Sequence, residues 1–368
     1  MGQNEKRNER FSNRKGDFQL KFEKIIRAPG QGLLTVSTGS MDAQKLLGSY
    51  FGPAKLKNWS QEFSKRRAQK ARFSIIGVPS DSGGGICRGA AHGPTHLRAA
   101  LYRSERKLSK FDLGDIPCIP QLLDDEMLTS DQLRRSGVSL WGNSYVKGTP
   151  VSPLNLLEEL LVELWRKNIS FRPLVLGGDH SISGAIFRAL KRAKKMDGLG
   201  VIHFDAHTDL LEERYGVKNC FATWTAHAVH EMKVPQAWVQ LGIRASRHSR
   251  KYWEKKFGLK QHWAKDLVRI HPDRFSEHLI SHFDQLGCRS LYITNDIDGT
   301  DSRFAPSTGT PESKGLTPVW ISRVIQNLSS IYPLVGADLM EVAPVLGSPA
   351  DRRKTLLTSV RYLKALRW

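Results

Sequence analysis

Three short apolar runs in this chain each lead directly into aspartate or histidine residues. They are residues 173–177, followed by Asp179 and His180; residues 200–204, followed by Asp205, His207 and Asp209; and residues 289–294, followed by Asp296 and Asp298. Runs of this length are typical of strands buried in a parallel sheet. Because the carboxyl ends of parallel strands meet at one edge of a sheet, we expect these polar side chains to converge there.

The segment 205–209 by itself favours a metal site. Asp205, His207 and Asp209 alternate, so in an extended chain they point to one side. Burying such groups together is costly unless a cation neutralises them, which favours a divalent metal over a solvated acidic turn. His180 alone is better explained as a core histidine, and Asp296 with Asp298 equally well as a turn. Three strand ends with the same residue types nevertheless favour one shared site.

Strand and helix patterns alternate along the chain beyond residue 72. Strands are predicted at 73–78, 173–177, 200–204, 238–243, 289–295 and 332–337, and helices at 93–101, 154–165, 181–195, 223–232, 273–286, 317–328 and 355–366. This alternation predicts an α/β fold with a parallel sheet covered on both faces. No internal repeat or linker divides the region, so we expect one domain over 73–368.

The first 72 residues have a different composition. They contain 16 Lys and Arg against 6 Asp and Glu, an excess that accounts for half of the net charge of +20. Residues 1–40 mix charged residues with Gly, Ser and Asn, which predicts mostly disordered chain. Residues 65–67, Lys-Arg-Arg, form a basic cluster on a predicted helix. We therefore expect a basic, largely disordered or helical extension over 1–72.

Composition also argues against several classes of protein. No nucleic-acid-binding motif accompanies the basic cluster, so a solvated surface explains it better than a nucleic-acid partner. No apolar stretch approaches the roughly 18 residues of a membrane span, and the amino terminus lacks the apolar core of a secretory signal. The four cysteines are widely spaced and form no Cys-x-x-Cys pair, so we expect a reducing, cytoplasmic location.

Seven motifs, in order along residues 73–365, resemble the ureohydrolase family of arginases, agmatinases and guanidino-acid hydrolases. They are DLGD at 112–115, GGDHS at 177–181, DAHTD at 205–209, QLGIR at 240–244, DID at 296–298, TGTPE at 308–312 and EVAP at 341–344. The resemblance implies a three-layer αβα fold around a mostly parallel sheet, so that 73–368 would be the catalytic domain. It also implies two manganese ions and a homotrimer or homohexamer.

The resemblance assigns six metal ligands in this chain: His180, Asp205, His207, Asp209, Asp296 and Asp298. Four carboxylates and two imidazoles favour manganese over thiolate-preferring metals, although nickel or cobalt can occupy such a site. Two ions about 3.5–4 Å apart would lower the pKa of a shared water. The hydroxide so formed can attack the trigonal carbon of a guanidinium group, and collapse of the intermediate releases an amine and urea.

The resemblance also suggests residues that handle the substrate. Glu341 matches the family's guanidinium-binding carboxylate, and bidentate pairing with a planar cation supports the assignment; without the resemblance, a glutamate at a helix start would explain it better. Asp209 or another carboxylate would deliver a proton to the leaving amine.

The sequence departs from the family pattern near residue 221. Many members carry a proton-shuttling histidine where this chain has Phe221, and His227, six residues later, is a candidate replacement. Trp224 is expected to narrow the substrate pocket. Arginases place acidic residues where this chain has Arg247, which argues against arginine and allows pairing with a substrate carboxylate.

The favoured function is a dinuclear metal hydrolase that cleaves a small guanidino compound into urea and an amine. An agmatinase-like substrate is the default, guanidino acids follow because of Arg247, and free guanidine follows if Trp224 shortens the pocket. One alternative is a formimino hydrolase that releases formamide. Another is a non-catalytic binding or regulatory protein on the same scaffold, which the intact set of metal ligands disfavours.

Overall fold

The computed structural model describes residues 25–34, 38–59 and 73–367. Its centre is one sheet of eight strands in the order β2-β1-β3-β8-β7-β4-β5-β6, and every neighbouring pair is parallel. The strands are β1 (Phe73–Gly77), β2 (Asp112–Asp115), β3 (Arg172–Leu176), β4 (Leu199–Phe204), β5 (Trp238–Ile243), β6 (Lys260–Trp263), β7 (Ser290–Asp296) and β8 (Leu334–Met340). The predicted parallel sheet is confirmed.

The helices cover the sheet on both faces, as the three-layer prediction requires. They are α1 (Thr38–Phe51), α2 (Pro53–Lys57), α3 (Gly93–Ser104), α4 (Ser130–Trp141), α5 (Pro153–Lys167), α6 (Ser181–Arg192), α7 (Trp224–His230), α8 (Arg250–Phe257), α9 (Ala264–Leu267), α10 (Pro272–Gln285), α11 (Pro318–Ile331) and α12 (Pro349–Ala365). Helices α5 to α8 pack in sequence against one another, as do α10, α11, α12 and α3. No described helix has the length and apolar character of a membrane span.

The sequence patterns located most elements but missed the polar ones. Strand β2 has the sequence DLGD and β6 has KQHW, so neither shows an apolar run, and both lie at the edges of the sheet. The last strand runs to Met340 and not to residue 337 as predicted. Helix α12 begins at Pro349, well before residue 355, because Ser348 and Asp351 form a capping box.

Residues 25–34 do not fit the prediction that 1–40 is mostly disordered. Ile25 and Ile26 are buried in the main core, and Arg27 exchanges backbone hydrogen bonds with Asp115 of β2. Gly30 and Gly32 also donate their backbone N–H groups to the Asp115 carboxylate. This segment is ordered because it covers the edge strand and satisfies a buried charge. Residues 38–40 begin helix α1 and do not fit the disorder prediction either. The rest of that prediction and the 65–67 cluster lie outside the described residues.

Helices α1 and α2 continue this packing. Leu47, Phe51 and Leu56 are buried in the same core as the strands. The indole of Trp59 is also buried and donates a hydrogen bond from Nε1 to the Leu113 carbonyl, 3.0 Å away. The helical part of the predicted extension is therefore packed against the sheet.

One row of side chains across the sheet is polar although it is fully buried. Five residues lie opposite one another on adjacent strands: Asp338 on β8, Thr294 on β7, His203 on β4, Gln240 on β5 and Gln261 on β6. Each is at most 3% exposed. Asp205 and Asp296 follow two positions further along β4 and β7 and therefore on the same face. The row thus lies directly beneath the predicted ligands.

Candidate metal centre and active site

The ends of β3, β4 and β7 bring the first group of predicted ligands together. His180 lies immediately before α6, where β3 has ended. Its Nδ1 is 3.3 Å from Asp205 Oδ2, 3.3 Å from Asp209 Oδ2 and 3.2 Å from Asp296 Oδ2. Residues far apart in sequence thus surround a single point, because parallel strands end at the same edge.

A second group adjoins the first and shares one carboxylate with it. His207 Nδ1 is 3.0 Å from Asp298 Oδ2 and 3.6 Å from Asp205 Oδ1. Asp205 therefore directs Oδ2 toward His180 and Oδ1 toward His207. The two groups of ligand atoms fit two neighbouring cations with Asp205 between them.

The hydrogen bonding of the first group supports a metal ion there. His180 Nδ1 is buried and has no hydrogen-bond partner, although three carboxylate oxygens lie within 3.3 Å. The other ring nitrogen, Nε2, is 3.1 Å from Thr294 Oγ1, and Thr294 donates its hydroxyl proton to Asp338 Oδ1 at 2.8 Å. Thr294 must therefore accept from His180 Nε2–H, which leaves a lone pair on Nδ1, as a metal ligand requires.

The electrostatics of the cluster lead to the same conclusion. Burial raises the pKa of Asp209 and, together with the charges of Asp298 and Asp205, raises that of Asp296 well above its usual range. Burial opposes ionisation of Asp205 as well, but the neighbouring imidazoles of His180, His203 and His207 hold its pKa well below the usual value. Burial would lower the pKa of His207, yet Asp298 and Asp205 raise it to about 12. Without a metal, the imidazoles must supply the positive charge that the carboxylates need.

Trp224 lies behind the ligands. It is 2% exposed, and its ring centroid is 4.6 Å from that of His180. Its Nε1 donates a 2.8 Å hydrogen bond to Asp209 Oδ2. Asp209 has φ of 51°, in the left-handed region, so the indole stabilises a ligand held in a strained backbone conformation. Trp224 therefore packs against the proposed ligands on their buried side, and its predicted place at the substrate stays a prediction.

Glu341 adjoins the cluster, where the family resemblance predicts it. Its backbone also lies in the left-handed region, with φ of 60°, and is held by a 2.8 Å hydrogen bond from its N–H to the Gly178 carbonyl. Its Oε1 accepts from the His180 backbone N–H at 2.9 Å. Burial, and then the charge of Asp179, raise the pKa of the Glu341 carboxyl well above its usual range. A cation beside this half-buried carboxylate would relieve that cost.

The remaining predicted residues are not at the cluster. His227 lies on α7 with Nε2 3.1 Å from the Lys218 carbonyl, to which it donates, so its ring faces the 218 loop. Its role as a replacement for the shuttle histidine stays a prediction. Arg247 is exposed in the loop before α8. Phe221 donates its backbone N–H to the Gly83 carbonyl, and its ring contacts Arg214.

Three residues at the centre were not predicted from the sequence. His203 Nε2 is 2.9 Å from Asp205 Oδ2. Thr310 donates from Oγ1 to Asp298 Oδ2 at 3.0 Å, and Glu312 Oε1 is 3.8 Å from His207 Nε2. Thr310 and Glu312 belong to the TGTPE motif, which was noted without a role. His203 alternates with Asp205 and His207, a signal that the apolar residues around it concealed.

Comparison with known proteins agrees with the fold. The model of the arginase family matches residues 71–365. A guanidinopropionase of Pseudomonas aeruginosa is 31% identical over 284 residues, covering 74% of this chain and 79% of that protein. The Gallus gallus protein named "Agmatinase, mitochondrial" is 32% identical over 284 residues, covering 74% of each chain. The crystal structure of an arginase from Bacillus subtilis has a TM-score of 0.62 at 25% identity, over 80% of this chain and 97% of that one. The chain therefore belongs to the arginase family.

Proposed function

We propose that this chain, an amidinohydrolase of the arginase family, uses two divalent metal ions to hydrolyse a small guanidino compound to urea and an amine. The observation that carries the proposal is the pair of adjoining ligand groups that share Asp205, with Glu341 beside them. His180, Asp205, Asp209 and Asp296 would hold one ion, and Asp205, His207 and Asp298 would contribute to the other. When bound, the ions lower the pKa of a water molecule so that it can attack the guanidinium carbon.

The protein side chains orient the substrate and move its protons. Glu341 pairs with the planar guanidinium cation, because its second carboxylate oxygen is free when Oε1 accepts from the His180 backbone. Attack of water forms a C–O bond at the guanidinium carbon, and collapse of the resulting tetrahedral intermediate breaks the C–N bond to the substrate's tail. Asp209 accepts a proton from the attacking water and passes it to the leaving nitrogen, so that a neutral amine can depart. Trp224 keeps Asp209 in position for this transfer.

The substrate proposed is a guanidino compound with a short aliphatic tail. Relatives of this chain are named as an agmatinase and a guanidinopropionase, so both an amine and a carboxylate at the far end of the tail are candidates. Agmatine remains the default. Exposed Arg247 is proposed to bind the carboxylate of a guanidino acid. Trp224 gives no support to free guanidine, because it lies behind the ligands.

Manganese is the proposed metal, because the ligand set consists of carboxylates and imidazoles without thiolates. Nickel and cobalt are the alternatives. A homotrimer or homohexamer is proposed from the family resemblance. A cytoplasmic location is proposed because all four cysteines are free thiols.

The test is a product assay on metal-free protein reloaded with Mn²⁺, Ni²⁺ or Co²⁺. Agmatine, guanidinobutyrate, guanidinopropionate, arginine, guanidine and formiminoglutamate are supplied in turn, and urea and formamide are both measured. We expect urea from at least one guanidino compound. Formamide alone would replace the proposal with a formimino hydrolase, and metal binding without any product would replace it with a binding protein.

A matched variant tests the role of Glu341. Glu341→Gln keeps the size of the side chain but removes its charge, so we expect a large rise in KM or loss of turnover with metal binding retained. Glu312→Gln, at the exposed side of His207, is the control for loss of a nearby carboxylate. Equal effects of the two variants would contradict the assignment of Glu341 to the guanidinium group.

A further inference from the structure

A chain of hydrogen bonds crosses three strands and ends on the carboxylate that the two ligand groups share. Trp263 Nε1 is 3.1 Å from Gln261 Oε1, and Gln261 Nε2 is 2.8 Å from Gln240 Oε1. Gln240 Nε2 is 3.1 Å from His203 Nδ1, and His203 Nε2 is 2.9 Å from Asp205 Oδ2. We call this the Trp263–His203 chain.

The chemistry of its members fixes the direction of every bond in this chain. An indole N–H can only donate, so the atom of Gln261 that faces Trp263 is the carbonyl oxygen and the opposite end is the amide NH₂. Gln261 therefore donates to Gln240, which in turn must direct its own NH₂ toward His203. The Thr208 carbonyl, 2.8 Å from Gln240 Nε2, can only accept and independently requires the same orientation.

The direction of the chain determines which nitrogen of His203 carries the proton. Nδ1 faces an NH₂ donor and must accept, so the proton lies on Nε2 and is donated to Asp205 Oδ2. His203 therefore has no lone pair on Nε2 to offer to a metal ion, although it lies within the ligand group around His180. Its lone pair faces away from the centre.

Asp205 needs this donor because both its oxygens have to be held in place. Oδ1 accepts from the His207 backbone N–H at 2.6 Å, and Oδ2 accepts from His203 at 2.9 Å. One bond at each oxygen sets the plane of the carboxylate while leaving lone pairs on both oxygens for cations. Rotation of this plane would displace both ligand groups at once.

The Trp263–His203 chain lies in the core of the protein. His203, Gln240 and Gln261 are at most 1% exposed, and they lie opposite one another on β4, β5 and β6. A parallel sheet usually fills such positions with apolar side chains. Three buried polar residues are tolerated only because each is bonded to the next.

We propose that His203, Gln240, Gln261 and Trp263 are positioning residues that orient Asp205 through one-way hydrogen bonds and thereby set the affinity of the centre for divalent metal. The proposal rests on the dinuclear centre proposed above, and it goes beyond the ligands to a set of residues that reaches the edge strand β6. Its prediction is that reversing the direction of the chain is more harmful than interrupting it.

Two substitutions at Gln261 separate these effects. In Gln261→Glu, a carboxylate still accepts from Trp263 but repels Gln240 Oε1. This repulsion favours a turned Gln240 amide that presents its oxygen to His203, against the hydrogen bond to the Thr208 carbonyl. The proton then moves to Nδ1, and Asp205 loses its donor. In Gln261→Met, the chain is cut, but the Thr208 carbonyl still holds Gln240 in its original orientation.

The readout is the Mn²⁺ dissociation constant of metal-free protein, measured by isothermal titration calorimetry, with the melting temperature of the same metal-free protein as a test of folding. We expect Gln261→Glu to weaken binding by roughly 10–100-fold, the effect of losing the partner of a metal ligand, and Gln261→Met to cause a smaller loss. Equal affinities for the two variants, or wild-type affinity in Gln261→Glu, would overturn the proposal. Failure of the wild-type protein itself to bind any of Mn²⁺, Ni²⁺ and Co²⁺ would instead refute the proposed function.

Substitution of His203 distinguishes a positioning residue from a ligand. In His203→Gln the amide nitrogen can take the place of Nε2 and donate to Asp205, so we expect Mn²⁺ affinity to be largely retained, whereas His203→Leu should lose it. If His203 is a ligand, both variants lose affinity alike, and the proposal fails.

A milder pair of variants covers the case in which a buried variant does not fold. Trp263 is only half-buried, and Trp263→Phe removes the donor that begins the chain. Trp141→Phe is the control, because its half-buried indole also donates one hydrogen bond, to the Pro150 carbonyl, outside the chain. We expect weaker Mn²⁺ binding in Trp263→Phe alone, and equal affinities in the two variants would count against the proposal.

Discussion

At the scale of single residues, most side chains of the proposed site are buried and have a hydrogen-bond partner or an opposite charge beside them. His180 shows the arrangement most clearly, because one ring nitrogen is fixed by Thr294 and the other has no hydrogen-bond partner among three carboxylates. Asp209 and Glu341 have left-handed backbone conformations, which are unfavourable for residues with a Cβ. The unfavourable backbone conformation persists at these two positions because the surrounding contacts hold it in place.

Removing the shared carboxylate should abolish the metal centre. In Asp205→Asn one oxygen becomes an NH₂ group, which cannot bind a cation and repels it, so both ligand groups are damaged together. We expect Mn²⁺ affinity and turnover to fall by more than about 100-fold, because loss of a mere partner of a ligand costs 10–100-fold. Metal content per protein by mass spectrometry checks this.

Asp197→Asn is the control for that variant, because Asp197 is exposed and pairs only with surface cations. In addition, saturating Mn²⁺ should raise the melting temperature of the wild-type protein and leave that of Asp205→Asn unchanged. A ligand at 100 times its dissociation constant stabilises a folded protein by about 2.7 kcal/mol. A melting temperature that rises equally in both proteins would place the metal elsewhere.

Trp224→Phe should weaken metal binding without changing substrate choice. Phenylalanine keeps a ring against His180 but removes the hydrogen bond to Asp209. We expect roughly 10-fold weaker Mn²⁺ binding and an unchanged ratio of kcat/KM between agmatine and guanidinobutyrate. Trp165→Phe, which loses a buried hydrogen bond to the Phe171 carbonyl, is the matched control. A changed ratio of kcat/KM between the two substrates would indicate that Trp224 borders the substrate pocket.

At the scale of secondary structure elements, the edge strand β6 shows how polar residues are accommodated in this sheet. Its residues Gln261 and Trp263 begin the chain of bonds to Asp205, and His262 between them points to the other face. The His262 ring packs against Phe275 of α10, with centroids 5.0 Å apart. One face of β6 therefore begins the hydrogen bonds that lead to Asp205, and the other face packs a histidine against α10.

His262 should make stability depend on pH. Burial, and then the nearby His278 and Arg250, lower the pKa of its imidazole from 6.5 to about 4. The unfolded chain binds this proton below pH 6.5, but the folded protein binds it only near pH 4, so folding is destabilised as pH falls through that window. We expect this histidine to cost the wild-type protein about 1–2 kcal/mol of unfolding free energy between pH 6.5 and pH 4, a value reduced for its partial exposure. His262→Phe should lack this loss.

The measurement is the free energy of unfolding from urea titrations at several pH values, expressed as variant minus wild type. His230→Phe is the control, because His230 also contacts a phenylalanine ring but is exposed. A His262→Phe difference that stays constant between pH 6.5 and pH 4 would show that His262 does not carry the effect.

At the scale of the whole molecule, the amino-terminal residues that the structure describes belong to the folded domain. Residues 25–34 pair with β2 and the segment after it, and α1, α2 and Trp59 extend the main core. The Arg98 guanidinium, which bridges Asp112 and Asp115, lies beneath this cover with its two carboxylates fully buried. An ion pair of this kind depends on exclusion of water and on complete hydrogen bonding.

Deleting residues 1–59 should therefore destabilise the catalytic domain strongly. Among the described residues, the deletion removes six large buried apolar side chains, each worth roughly 1.5–3 kcal/mol before the cost of ordering the segment: Ile25, Ile26, Leu47, Phe51, Leu56 and Trp59. It also removes the Gly30 and Gly32 donors of Asp115. We expect a loss of several kcal/mol, seen as a lower urea midpoint.

The control for that deletion is a chain that lacks only residues 1–24, which keeps all of these contacts. Its urea midpoint is the reference with which that of the 1–59 deletion is compared. A 1–59 deletion that unfolds at the wild-type midpoint would mean that residues 25–59 only cover the domain without stabilising it.

The sequence by itself was enough to predict the proposed ligands and the edge of the sheet at which they lie. Asp205, His207 and Asp209 follow an apolar strand directly, and the same holds for Asp296 and Asp298, so a local pattern is enough to place them. The family motifs added Glu341. These residues could be predicted because strand periodicity and helix alternation are properties of short segments.

Only the tertiary structure decided what surrounds those ligands. The polar row from Asp338 to Gln261 arises from register between strands that are distant in sequence, and no local pattern specifies register. Trp224 and His227 lie three residues apart on α7, yet one contacts Asp209 and the other the Lys218 carbonyl, because each contact depends on which loop packs against that part of the helix. Residues 25–34 are ordered by the edge of β2, a surface that forms only when the chain is folded.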